Sequence, residues 1–130
     1  RYARPGDGTG RVMAPRLTAK LRVQAAIRRC SALGLSAMVV GRGDPDAGQI
    51  LVKINRFEAG YEVLVEARDG AGGTLWTRGS GADLVSEAEA DAYLDRQRRV
   101  DPDLWVLEVE DRAGRNPFAD DFTRGDPMMP

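Results

Sequence analysis

Apolar residues return along this chain in two rhythms. Over residues 18–33, Val23, Ala26, Ile27, Cys30 and Leu33 recur at steps of three and four, the spacing that gathers side chains on one face of a helix. Thr18 offers a capping oxygen in front of it and Gly34 a stop behind it. The rhythm then changes. Residues 35–41 predict a strand, and residues 49–56 a second, with Ile50, Val52 and Ile54 on one face and Leu51, Lys53 and Asn55 on the other. Residues 61–67 and 74–78 predict two more, Glu62 and Glu66 being expected to face solvent in part. Helical spacing comes back over Ser86–Arg99, where Ala90, Tyr93, Leu94 and Gln97 form the inward stripe and Ser86 with Glu89 matches a capping box. Asp101-Pro102 ends that helix, and residues 104–110 predict the last strand.

The predicted order is therefore α-β-β-β-β-α-β. It belongs to the α/β class in layered form, with an α+β variant left open: one mixed, mostly antiparallel sheet covered by helices. Between the first two strands, Gly41 to Gly48 is dense in turn residues and predicts a tight hairpin; Asp69 to Gly73 predicts another return. The ends lack periodicity. Residues 1–12 read as a flexible extension, 13–115 as a single α/β domain and 116–130 as a loose tail. Met13, opening the patterned region, is one candidate for the natural start. Phe118, Phe122, Met128 and Met129 are the tail's means of gripping a surface.

Composition narrows the function classes. The chain has 130 residues, no histidine and one cysteine. A His-based triad, a His-containing zinc site and a four-thiolate metal site are all excluded within it. Cys30, on the apolar helix face, reads as a core thiol rather than a nucleophile. No apolar run reaches membrane-spanning length and no signal-like hydrophobic segment follows the basic N-terminus, so a cytoplasmic protein is expected.

Formal net charge is −1, yet it is unevenly spread: residues 1–42 hold nine basic residues and one acid, and residues 43–130 hold ten basic residues and nineteen acids. Seventeen of the nineteen basic residues are arginine, which suits bidentate pairing with carboxylate or phosphate. Arg22, Arg28, Arg29 and Arg42 are the candidates for binding a partner or a phosphate. Asp101, Asp103, Glu108, Glu110 and Asp111 form the densest acidic stretch, a candidate partner-binding edge. Its blander reading is an ion network with Arg98, Arg99 and Arg112; a Mg²⁺ site is the weakest. Asp101 has a local role as well, accepting a hydrogen bond from the chain two residues on. Trp76 and Trp105 are candidate aromatic anchors, with core packing the favoured reading for both. The order of helices and strands along the chain resembles restriction-endonuclease-like cores in outline only, and Lys53 pairs with Leu51 where that chemistry needs a carboxylate.

Arg98-Arg99-Val100-Asp101-Pro102-Asp103-Leu104-Trp105-Val106-Leu107-Glu108-Val109-Glu110-Asp111-Arg112 resembles the C-terminal signature of a small alphaproteobacterial family, the domain of unknown function 1491. Pro15-Arg16-Leu17 with Leu21-Arg22-Val23 and Ile27-Arg28-Arg29 is similar too, as are Arg42-Gly43-Asp44-Pro45 and Ile50-Leu51-Val52-Lys53-Ile54. The resemblance implies an α/β fold over about Met13 to Gly114 and supplies neither activity nor catalytic residues.

These readings favour a small, non-enzymatic accessory protein that binds an unknown protein partner or associates with itself. An RNA- or DNA-binding role through the basic first helix is the alternative, and a Mg-dependent or hydrolytic enzyme ranks last. No cofactor, metal or catalytic residue is assigned, and no membrane partner is expected.

Overall fold

The computed structural model describes residues 17–68, 70 and 74–122. The proposed extension 1–12, the candidate start Met13, most of the 69–73 turn, and Met128 and Met129 lie outside the described residues. Helix α1 (Ala19–Ala32) opens on Thr18, whose hydroxyl accepts from Leu21 N–H. It closes on Gly34, at φ +74°, where Gly34 and Leu35 N–H groups return to the carbonyls of Ser31 and Cys30. Only a residue at ease with positive φ makes that stop without strain. Strands β1 (Ser36–Gly41), β2 (Ile50–Asn55), β3 (Tyr61–Arg68) and β4 (Thr74–Arg78) follow. Helix α2 (Glu87–Val100) begins with the Ser86–Glu89 capping box, both of whose hydrogen bonds are made, and β5 (Trp105–Glu110) completes the set.

The five strands form one sheet in the order β1-β5-β2-β3-β4. Strand β5 lies parallel to β2, and every other pairing is antiparallel. The α-β-β-β-β-α-β order and the mixed, mostly antiparallel sheet are thus as the sequence predicts. The tight hairpin over Gly41 to Gly48 is not formed, because β5 enters between β1 and β2 and this loop must step across it. Asp44 N–H donates to Asp103 O (3.0 Å), and Trp105 Nε1 donates to Asp44 O (2.7 Å). At Gly43 a Cβ would overlap the carbonyl oxygen of Asp103, so the glycine serves close approach rather than a hairpin.

The two helices cover opposite faces. Val23, Ala26 and Cys30 of α1 pack on Ile50, Val52, Ile54, Trp105, Leu107 and Val109. Ala90 and Leu94 of α2 pack on Leu51, Val63, Leu104 and Val106. The alternation of β2 is as expected. Leu33 falls at the helix cap and is exposed instead of joining the stripe. Residues 116–122, expected in a loose tail, are packed. Phe122 is 1% exposed, Phe118 stacks on Trp76 with ring centroids 5.3 Å apart, and Arg29 donates to the carbonyls of Pro117 (2.6 Å) and Ala119 (3.1 Å).

Candidate functional site

Most of the expected arginines are spent inside the fold. Arg22 makes a bidentate pair with Glu66 (2.6 and 3.1 Å) and lies over Phe118. Arg29 holds the 116–122 segment and lies over Phe122. Arg42 covers the Trp105 ring at 5.7 Å. Arg28 and Arg42 are both exposed, and neither side chain makes a hydrogen bond or ion pair among the described residues. The α1 N-terminus is no anion cradle either, since its Ala19 and Lys20 N–H groups already donate to the carbonyls of Asp46 and Pro45. Beside it lies an open depression of about 990 Å³, walled in part by Thr18, Arg22, Gln49 and Glu66, whose charged members satisfy each other.

The acidic stretch separates into three parts. Asp101 and Asp103 belong to the turn before β5, Asp101 accepting from Asp103 N–H (3.0 Å) as the local reading requires. Asp111 lies on the α1 face, buried, accepting from Ala113 N–H, from Arg115 N–H and from two nitrogens of the Arg115 guanidinium. Burial pushes its carboxyl pKa up, but the Arg115 and backbone hydrogen bonds prevail and hold it below the ordinary carboxylate range. Glu108 lies on the other face, half-buried, 3.4 Å from Lys53 Nζ. Glu110 follows two residues on, on that same face. The expected network with Arg98, Arg99 and Arg112 does not form: Arg98 donates to the carbonyls of Leu104 and Arg42, and Arg112 pairs with Glu58.

Lys53 is what sequence reasoning missed here. It is 4% exposed and meets Glu87 (2.9 Å), Asp91 (2.8 Å) and Glu108 (3.4 Å), with the Tyr61 ring beneath it. Burial alone would lower its pKa; the hydrogen bonds to Asp91 and Glu87 outweigh that and hold it well above the usual lysine value. A lysine so firmly protonated is a poor nucleophile and a good counter-ion. The signal was a lone Lys among the apolar residues 50–54, at a core-facing position of a strand apolar on both faces over that stretch. Glu62 is a second correction: it is buried, not partly solvated, and takes Arg78 (3.0 Å) and Arg56 (3.4 Å). Trp105 is a core residue with a satisfied indole, so it is unavailable as an exposed anchor; Trp76 is half-buried under Phe118.

What remains open is the β1 edge of the sheet, the other edge being β4. Strand β1 pairs with β5 on one side and with no strand among the described residues on the other. Its six residues carry no charge, and Met38 (56%), Val40 (49%) and Val39 (37%) are exposed. The register to β5 shifts between Val39 and Gly41, leaving Val40 bulged. Ser36 lies beside Glu110 and Met38 beside Glu108, while the Arg98 guanidinium sits over Gly41.

Fold and surface together define a small α/β domain with one mixed sheet between two helices, in which no group of three or more Asp, Glu or Cys side chains could hold a metal ion among the described residues. Residues 17–119 match the family described as Protein of unknown function (DUF1491), and the chain belongs to it. The crystal structure of a DUF1491 family protein from Caulobacter crescentus CB15 is 39% identical, with a TM-score of 0.72 over 81% of this chain and 96% of that one. An NMR structure of a Caulobacter crescentus CB15 family protein is 38% identical, with a TM-score of 0.69 over 80% and 94%. A protein from A. tumefaciens solved in solution is 30% identical, with a TM-score of 0.64 over 75% and 87%. No curated protein matches the chain. No helix among the described residues is long and apolar enough to cross a membrane.

Proposed function

We propose that the protein is a non-enzymatic interaction module and that the edge strand β1 is its docking element. The observation that carries this is the uncharged, apolar β1 edge, with Met38, Val39 and Val40 exposed and one row of backbone groups unpaired among the described residues. Edge strands of monomeric proteins are usually blunted by charge, above all by lysine, because an open edge pairs with other chains. Here the bulge at Val40 is the device present, and Ser36 to Val39 stay regular. Strand addition gives affinity through main-chain bonds and selectivity through alternate side chains. A reducing cytoplasm is the compartment proposed, which the free, buried Cys30 supports.

The test uses full-length wild type and Met38→Lys as bait in extract from the native cell. A charge on an exposed strand position leaves the core intact and opposes pairing. A protein held by wild type and lost by the variant is the expected result. Identical captured sets would overturn the reading.

A further inference from the structure

We infer that the strand docking on β1 is the β1 of a second copy of this chain, joined antiparallel about a two-fold axis perpendicular to the sheet. The inference rests on β1 being the docking element and adds the identity of the occupant.

Three observations select a second copy. First, all of Ser36–Gly41 is uncharged, so the strand meets its own image without like charges facing each other. Second, both faces are apolar at the edge: Met38 lies on the α2 face beside Glu108, and Val39 lies on the α1 face beside Leu107. A two-fold axis perpendicular to the sheet keeps each face on its own side, so facing residues must share parity and the register must centre on a residue. Centred on Met38, it sets Met38 against Met38 and Ala37 against Val39, apolar on apolar on both faces.

Third, the ends of the edge carry opposite charge. Glu110 flanks β1 at Ser36, and the Arg98 guanidinium lies over Gly41 at the other end. Antiparallel pairing brings the Gly41 end of one copy to the Ser36 end of the other. Glu110 of one copy then stands about two strand spacings, roughly 10 Å, from the backbone of the partner's Gly41, over which the guanidinium of the partner's Arg98 lies, with Ser36 and the partner's Val40 in the rows between. That separation lies within reach of two long side chains and about one Debye length at moderate salt. Symmetry makes the contact twice. A parallel arrangement would bring like ends together. A foreign strand would need its own charges to match this edge, whereas a second copy carries the match already. The product is one continuous sheet with β1 of each copy at its centre, an isologous contact that closes on itself.

The full chain is examined by sedimentation equilibrium at low and moderate salt, with Met38→Lys and Glu110→Arg alongside. Wild type is expected to reach twice the chain mass. Met38→Lys should raise the dissociation constant by roughly tenfold or more, and Glu110→Arg should weaken association in low salt, with the effect shrinking as salt is added. Amide exchange of residues 36–40 should slow as protein concentration rises. Cooperative thermal melts confirm that both variants are folded. Wild type remaining monomeric to on the order of 1 mM, or Met38→Lys associating as wild type does, overturns the second copy. If wild type is monomeric yet Met38→Lys loses a captured protein, the docking element stands and only the occupant is wrong. If capture is unchanged as well, both readings fall.

Discussion

Replacing Asp111 with alanine removes one buried carboxylate and four hydrogen bonds at a single stroke. The Ala113 and Arg115 N–H groups lose their acceptor, and the Arg115 guanidinium loses its counter-ion. Hydrogen bonds to a charged group contribute about 1.5–3 kcal/mol, and stripping one partner from a buried pair costs about 3–5 kcal/mol. The Arg115 side chain is 23% exposed, so water recovers part of that loss. The expected destabilisation is about 3 kcal/mol. At about 4 °C per kcal/mol for a domain of roughly 100 residues, the melting temperature should fall about 12 °C. Urea unfolding followed by tryptophan emission measures it directly. The pH dependence gives a second check. Asp111 is held below its ordinary value of 3.8, so its contribution is fully present above that value and is lost as pH falls through the lower folded value. The wild-type acid limb should therefore be steeper than that of Asp111→Ala. A loss under about 1 kcal/mol, or identical acid limbs, would refute the claim that this carboxylate holds the turn after β5.

Two further outcomes follow from burial. Phe122→Ala empties a fully buried ring site under the 116–122 segment and should cost about 3–4 kcal/mol in urea unfolding; a loss below about 1 kcal/mol would show that segment detached in solution. Cys30 is fully buried, and burial first, then the nearby Asp111 charge, pushes its thiol up to about 11. A thiol-specific disulfide reagent should therefore label the native protein roughly 100-fold more slowly than the urea-unfolded chain, and comparable rates would mean the α1 face is open.

Local signals were legible because they are written over short windows. Thr18, Gly34, Ser86 and Glu89 fix the helix ends through bonds within four residues, and each makes the bond its type suggests. Strand order was not legible from turns, since glycine and proline near Asp44 serve a loop crossing β5 as well as they would a hairpin. The clue lay elsewhere. Leu104 to Leu107 and Ile50 to Val52 are apolar without alternation, the pattern of strands covered on both faces, and such strands belong at the centre of a sheet. The Lys53 cluster was out of reach for another reason: its carboxylates come from α2 and β5, and no spacing rule connects three separate elements. The tail went unread because a packed stretch without periodicity looks the same as a loose one, although Phe118 and Phe122 were noticed.

The central place of β5 has a consequence for how the protein is made. Of the five strands described, the last to be synthesised is the one that joins β1 to the rest of the sheet. Until it emerges, β1 lacks its sheet partner and β2 shows one bare side, however early both were synthesised. Strands β2, β3 and β4 can pair among themselves beforehand, but α1 and β1 stay unjoined to them until residues 105–110 emerge, and the sheet closes in one long-range step. For this domain the hazard of wrong pairing is greatest just before β5 emerges, when the same edges that later find it are still without it.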